Sequence, residues 1–558
     1  MEAPKKASTL EPCMAIDDDR PDERPSIAES GSQAQGSTQW TSPVSARVTR
    51  LIFHAGLGAL LALYVAFFVA RCVANIRCPY TMDYGEGLVL SQALRLAHGE
   101  SLYNDYTHYP FVFSNYPPLF IALAAAGAKF FGAGFAFGRG LAFAAMLGLA
   151  AVMAVLLRRC GVGLAPAIGA PAFLLSTRSV VMWTGFMRVD SLSWLLSMGG
   201  LYCVLRRGRW LIPGVLLMVA ATYTKQSTVV GLAAAVIYLW WIGERRNAAL
   251  FLGSWAGAVL TLFAVFQVVT HGWFYRHIVT ANVNPWFADH MWTIIKGTLA
   301  TYPVLFAMAT VSAAALLAGT RRAKTDGDQT TNAHNCERLL VPYFALAAVS
   351  SLSVGKGGAA INYVIEPMAA ACLVAALGYH RLISAPRSRT TDALWAVAAV
   401  ALTVQVITMW FPPSRWAERR APAVTGGRAA AWIIARTKGD IIGDPPGVVV
   451  LSGRPLLLDA ATASHMALMG VWNPAPLLRD INRRRFSLIY MMVGAPQSKA
   501  VHGLHEGKWS DAIMRTILQN YRDAGSAGAL CFLVPRQPAV RASRPRSDGH
   551  GPAPAGRH

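Results

Sequence analysis

The feature that most constrains this chain is the recurrence of apolar stretches of roughly 17–23 residues, the length of helix that crosses a hydrocarbon core about 30 Å thick. A water-soluble chain of 558 residues would split into several cores and carry about 25% charged residues. Here 14% of residues are charged, 54% are hydrophobic and the mean hydropathy is +0.37. The sequence therefore predicts a polytopic α-helical membrane protein.

The net charge of +22 would suggest nucleic acid on a soluble chain, but the basic residues gather between apolar blocks and act as orientation signals. No nucleic-acid partner is expected. Arg158-Arg159, Arg206-Arg207-Gly208-Arg209, Arg245-Arg246, Arg321-Arg322-Ala323-Lys324 and Arg381 with Arg387 and Arg389 each end an apolar block. Placing all five in the cytoplasm requires the intervening spans to come in pairs. They do: about 163–180 and 190–205, 210–224 and 226–242, 247–269 and 297–319, 339–355 and 361–379. With spans at about 51–70, 138–157 and 392–411 the count is about eleven transmembrane helices. The stretch at about 117–131 is short, contains Lys129 and opens on Pro117-Pro118, so it reads as interfacial or re-entrant. The N-terminus then lies in the cytoplasm, and the first outer loop, about 71–137, is the longest between spans.

Residues 1–46 are polar and expected to be a disordered cytoplasmic segment without a removable signal peptide. Residues 47–412 form the membrane domain. Beyond Pro412-Pro413, residues 413–535 read as a small extracytoplasmic α/β domain. Its expected helices lie at 424–437, Leu477–Asn482 and Asp511–Tyr521, and its strands at Val448–Ser452, Phe486–Met492 and Ala529–Val534. Residues 536–558, rich in Pro, Arg and Gly, read as a disordered tail. None of the eight cysteines forms a zinc-like CxxC pair. Cys72 and Cys78 flank the outer end of the first span and are expected to be free thiols rather than a disulfide.

Two carboxylates, Asp83 and Glu86, stand three residues apart in Met82-Asp83-Tyr84-Gly85-Glu86-Gly87, directly after the first span. That spacing places both on one face of a helix, where they can take a proton from a hydroxyl, position an acceptor or bind a divalent cation such as magnesium or manganese. A solvated loop also carries such pairs. The adjacent glycines allow close backbone approach, which favours a functional reading. Asn115-Tyr116-Pro117-Pro118 fixes a rigid entry into the interfacial stretch, with Asn115 and Tyr116 in reach of a substrate. A third group is ionisable residues on the outer face: Arg188 with Asp190, Lys225 beside Gln226, Arg276 with His277, and Lys356 near Asn362, Tyr363 and Glu366. Near membrane depth such residues are functional candidates, the alternative being snorkelling or an internal pair such as Arg188–Asp190. An acid with several cations on one membrane face suits a substrate whose leaving group is a lipid phosphate.

These elements resemble the GT-C superfamily of integral-membrane glycosyltransferases, in the bacterial branch related to protein O-mannosyltransferases and the lipid A aminoarabinose transferase. The resemblance rests on one span followed by a long acidic outer loop, and on Gly99-Glu100-Ser101-Leu102-Tyr103, Asn115-Tyr116-Pro117-Pro118-Leu119, Phe131-Gly132 with Arg139, Arg188-Val189-Asp190, Thr224-Lys225-Gln226 and Asn362-Tyr363. It implies inverting single displacement on a polyprenyl-phosphate sugar in the cell inner membrane. Asp83 would be the base, and Glu86 would position the acceptor or a metal. Arg188, Lys225 and Lys356 would bind donor phosphate. Tyr84, Asn115, Tyr116, Asp190, Gln226, Asn362, Tyr363 and Glu366 would contact substrate. The family often has adjacent Asp-Glu, whereas Tyr84 and Gly85 intervene here, which leaves the roles of the two acids open. A transporter or lipid flippase is the rival reading. It would favour mid-span charges and an internal repeat, whereas these charges sit at span ends. A non-enzymatic scaffold would leave the acids dispensable.

Overall fold

The computed structural model describes residues 43–325 and 332–537. The expected disordered segments 1–46 and 536–558 fall, apart from a few residues, outside them. The chain divides into two compact units, Met1–Leu51 and Ile52–His558, and the features below belong to the second.

A helix occupies each of the eleven expected spans. Six are long and apolar enough to cross a membrane: Val48–Ile76, Ala136–Arg159, Arg245–Val269, His334–Gly355, Ile361–Ser384 and Arg389–Thr408. A seventh is gained if Ala288–Thr301 and Pro303–Ala318, bent by 86°, form one span. The chain is a multi-pass membrane protein, but a count of eleven full crossings is finer than these lengths support. The helices Leu164–Ser176, Leu211–Thr224 and Val230–Trp241 have 13, 14 and 12 residues. At 1.5 Å per residue they reach only about 20 Å, short of the ~30 Å core. The Pro118–Phe131 helix, expected to be interfacial, is likewise a shorter apolar helix of 14 residues.

The bundle is packed by a core that includes Met146, Met153, Leu201, Tyr238, Leu340 and Leu373. The Arg245–Val269 helix keeps Leu260, Val265, Val268 and Val269 exposed, as suits a lipid-facing surface. One face gathers the basic turns. There Cys160 is disulfide-bonded to Cys336, and the ion pairs Arg381–Glu337 and Arg207–Glu244 tie neighbouring helix ends. Cys72 and Cys78 are free and buried, as expected, whereas no local spacing pointed to the Cys160–Cys336 bond. The other face holds the start of Asp190–Arg206, the end of Leu211–Thr224 and the start of Ile365–Ser384.

The C-terminal region contains six strands: β1 (Asp440–Gly443), β2 (Phe486–Met492), β3 (Leu504–His505), β4 (Trp509–Ser510), β5 (Tyr521–Ala527) and β6 (Leu530–Pro535). Four of them form a sheet in the order β1-β2-β6-β5, parallel between β1 and β2 and antiparallel elsewhere; β3 and β4 pair as a small hairpin. The alternation of a strand sends Ile489, Met491, Cys531 and Leu533 into one core and Leu488, Tyr490, Leu530 and Phe532 into another. Both faces of the sheet are therefore covered. Part of the cover comes from the first long loop: Phe111 and Phe113 enter the first core and Val112 the second. Phe111 N donates to Leu457 O, and Asp459 N donates to Phe111 O, at 2.9 Å each.

One expected strand is a helix. Val448–Ser452 falls largely within the helix Pro446–Leu451, because proline at its first position presets a helical φ. Its backbone packs against the Tyr84–Ala97 helix, where a Cβ on Gly87 would lie 2.1 Å from Gly447 N.

Candidate active site

The Tyr84–Ala97 helix starts at Asp83, which occupies the N-cap position that favours Asp because its carboxylate can accept from the first free backbone N–H groups. Asp83 Oδ2 accepts from Gly85 N at 3.0 Å and pairs with Arg188 at 2.6 Å. A Cβ at Gly85 would lie 1.9 Å from Arg188 Nη1, so only glycine leaves room for that guanidinium. The Asp83 carboxylate also accepts from the Glu86 backbone N–H as half of a capping box, and Asp83 lines a cavity of about 880 Å³.

Glu86 goes the other way. It is fully buried, and its carboxylate closes the helix start by accepting from Met82 N at 2.6 Å and Asp83 N at 3.2 Å. It also accepts from Arg139 Nη2 at 2.6 Å and Nε at 2.9 Å, a bidentate pair with both partners fully buried. Arg139 completes its bonds on the carbonyls of Asn75, Cys78 and Tyr80. Glu86 is therefore not on the cavity wall: it fixes the loop that presents Asp83.

The internal Arg188–Asp190 pair, the alternative to a functional role for these charges, is not formed. Arg188 takes Asp83 and lies 5.0 Å over the Trp183 ring, while Asp190 accepts from Lys225 at 2.6 Å, Asn362 at 2.9 Å and Trp183 at 3.1 Å. Asp190 itself is 1% exposed and stands behind the wall. Glu366 is also off the wall and accepts from Tyr343 at 3.3 Å. The wall does gather Asp83, Tyr84, Asn115, Tyr116, Arg188, Lys225, Gln226, Lys356, Asn362 and Tyr363, which are scattered over 280 positions of sequence. Lys225 lies 4.6 Å over Tyr363. Lys356 pairs with no carboxylate among the described residues; burial and then the Lys225 charge hold its pKa below the usual lysine value.

Four amide side chains on the wall, Asn115, Gln226, Asn284 and Asn362, each carry a buried oxygen without a hydrogen-bond partner. Their nitrogens are engaged: Asn115 donates to Thr462 Oγ1 at 3.2 Å and Gln226 to Asn115 O at 2.9 Å. Such oxygens suit the hydroxyl donors of a polar ligand.

Sequence reasoning missed the part of the wall built by the C-terminal region, which includes Thr462, His465, Glu506 and Lys508. Tyr84 OH donates to Asp459 Oδ1 at 2.6 Å, and Lys508 Nζ lies 4.9 Å over the Tyr84 ring and 3.1 Å from Asp444 Oδ2. Burial, reinforced by Asp459 and Asp444, pushes the Tyr84 phenol well above its ordinary pKa. No local motif marks these residues; only the stitching of the first loop to the C-terminal region brings them in. Among the described residues no group of three or more His, Cys, Asp or Glu side chains comes together to hold a metal ion.

No protein-family model matches the chain, and no curated protein matches it by sequence. Solved structures do. ArnT from Cupriavidus metallidurans in the apo state superposes with a TM-score of 0.56 at 12% identity, covering 85% of this chain and 98% of that one. The same protein bound to undecaprenyl phosphate gives 0.54 at 12% identity, covering 85% and 97%. The chain has the fold of ArnT. ArnT is the lipid A aminoarabinose transferase, of the GT-C superfamily, so the resemblance read from the sequence holds for the fold along most of the chain.

Proposed function

We propose that this protein is an integral-membrane glycosyltransferase that moves a sugar from a polyprenyl-phosphate carrier to an extracytoplasmic acceptor: a glycan, a lipid or a protein. One observation carries the reading. Asp83 is fixed on the cavity wall by Gly85 N, the Glu86 backbone N–H and Arg188, on the same cavity as Lys356, which has no carboxylate partner among the described residues. The first is what a positioned base needs and the second what a departing phosphate needs. The ArnT structure bound to undecaprenyl phosphate supports a lipid-phosphate ligand for this fold.

In the proposed step the acceptor oxygen or nitrogen attacks the anomeric carbon from the face opposite the phosphate. The bond from that carbon to the phosphate oxygen breaks, and the electron pair leaves with the phosphate. The acceptor proton passes to the Asp83 carboxylate. The phosphodiester becomes a monoester with one more ionisable oxygen, and Lys356, with Lys225 and Arg188 nearby, stabilises the charge that develops. The unmatched amide oxygens of Asn115, Gln226 and Asn362 accept from sugar hydroxyls. Tyr84, Tyr116 and Tyr363 supply apolar faces to the same cavity. In this reading the protein sits in the cell inner membrane with the basic face cytoplasmic and the cavity outside, consistent with the segregation of basic turns from the site.

The test is transfer of an isotopically labelled sugar from a polyprenyl-phosphate sugar to a mixed envelope extract, using full-length protein in vesicles. Labelled product with inverted anomeric configuration is expected. Transbilayer movement of the labelled lipid without any product would overturn the reading in favour of a flippase.

A further inference from the structure

His465 is one of the polar groups on the cavity wall that this reaction leaves unused. It sits in the helix Ala460–Leu468, whose start is set by Asp459 accepting from Thr462 N at 3.2 Å. Residues three and four apart share a helix face, so Ala461, Thr462 and His465 stand together, and all three line the cavity. Ala463 and Met466 turn the other way into the sheet core. His465 is 4% exposed, yet its ring makes no hydrogen bond among the described residues. The ring nitrogens are not among the fully buried polar atoms that lack a partner, so they open on the cavity, where an imidazole offers one donor and one acceptor to a ligand.

What faces the ring is the loop that carries Lys356. A Cβ on Gly357 would lie 3.2 Å from His465 Nε2, and one on Gly358 3.7 Å from Cε1. The loop is clasped from its other side: Phe287 N donates to Gly355 O and Gly357 N donates to Pro285 O, at 2.7 Å each. The glycines thus let the His465 imidazole approach the backbone beside the half-buried Lys356 ammonium, and neither group has a side-chain partner among the described residues. Burial and the Lys356 charge together push the imidazole down to about 4, so it is neutral at physiological pH. A neutral N–H and an unpaired ammonium are both answered by one ligand class: an anion with several acceptor oxygens.

We propose that His465 and Lys356 together seat the non-bridging oxygens of the lipid-linked phosphate, which makes His465 a phosphate-binding residue contributed by the C-terminal region. This rests on the glycosyltransferase reading and deepens it: donor binding then requires both the helical bundle and the C-terminal region. The polyprenyl chain and the sugar are not needed for this contact, so a short prenyl phosphate reports it.

The experiment measures binding of farnesyl phosphate, farnesol and inorganic phosphate to the full-length protein in nanodiscs. It compares wild type, His465→Leu, His465→Gln and Lys356→Met. Wild type is expected to prefer farnesyl phosphate to both other probes. His465→Leu weakens farnesyl phosphate about tenfold or more while farnesol binding stays unchanged. His465→Gln, which keeps an N–H donor, recovers part of the loss, and it is also the variant to read if the leucine variant fails to fold. A purely structural role would move both prenyl ligands equally. An unchanged phosphate-to-alcohol ratio in both His465 variants, with the ratio lost in Lys356→Met, overturns the assignment of His465 alone. Equal affinity for inorganic phosphate overturns the lipid source. A wild type with no phosphate preference overturns the glycosyltransferase reading itself.

Discussion

The two sides of the cavity treat charge in opposite ways. On the side built by the first loop and the Asp190–Arg206 and Leu211–Thr224 helices, each of three carboxylates is matched: Asp83 with Arg188 on the wall and, behind it, Asp190 with Lys225 and Glu86 with Arg139. On the side built by the Gly355–Tyr363 loop and the Ala460–Leu468 helix, Lys356 and His465 are left unmatched. The difference separates architecture from ligand binding. A buried charge with a buried partner holds elements together, and removing one member strands the other. A cation without a partner gains its counter-charge only from a ligand.

That contrast can be broken or sharpened by substitution. The largest effect is expected from Glu86→Gln, which strands the Arg139 charge at full burial. A loss of about 3–5 kcal/mol follows, enough to abolish accumulation of folded protein; thermal unfolding in detergent measures it. A stable Glu86→Gln protein that lacks transfer would instead return Glu86 to the reaction. Next comes Lys225→Met, which leaves Asp190 with only the Asn362 and Trp183 donors and costs about 2–3 kcal/mol. Adding Asp190→Asn should restore most of it. Lys356→Met is expected to leave the thermal midpoint unchanged or raise it, while weakening prenyl-phosphate binding by about 10- to 100-fold.

A separate effect is a pH dependence set by two buried histidines. Burial pushes His277 down to about 4, as burial and Lys356 do His465. Between about 6.5 and 4 the unfolded chain takes up these protons and the folded chain does not. Stability therefore falls as pH drops through that window and levels off below it. His277→Gln and His465→Gln should each flatten the decline in thermal midpoint between pH 6.5 and 4.

The helical architecture was legible because apolar blocks and basic clusters are local signals, and both survive in the structure. Span lengths were not, because hydropathy counts the turn residues around Lys225 and Thr177 that the helices exclude. Val448–Ser452 misled through β-branched propensity, which Pro446 and the close contact at Gly87 override. The acid–cation grouping was legible because charge is rare in this chain. Which acid faces the cavity was not: spacing puts Asp83 and Glu86 on one helix face, whereas capping turns Glu86 inward to Arg139. His465 carried no sequence signal, since its neighbourhood is made by the contact of Phe111 with the Leu457–Asp459 segment.

The central claim is that Asp83 is the base and Glu86 its scaffold. It is tested most directly by sugar transfer from a polyprenyl-phosphate sugar in vesicles containing wild type or Asp83→Asn, normalised to folded protein by thermal midpoint. The account predicts that Asp83→Asn still folds, with a midpoint lowered by less than in Glu86→Gln because the Asp83–Arg188 pair is partly exposed and asparagine keeps the helix cap, and that transfer falls by about 10²–10⁴-fold. Transfer at the wild-type rate in folded Asp83→Asn protein would contradict it.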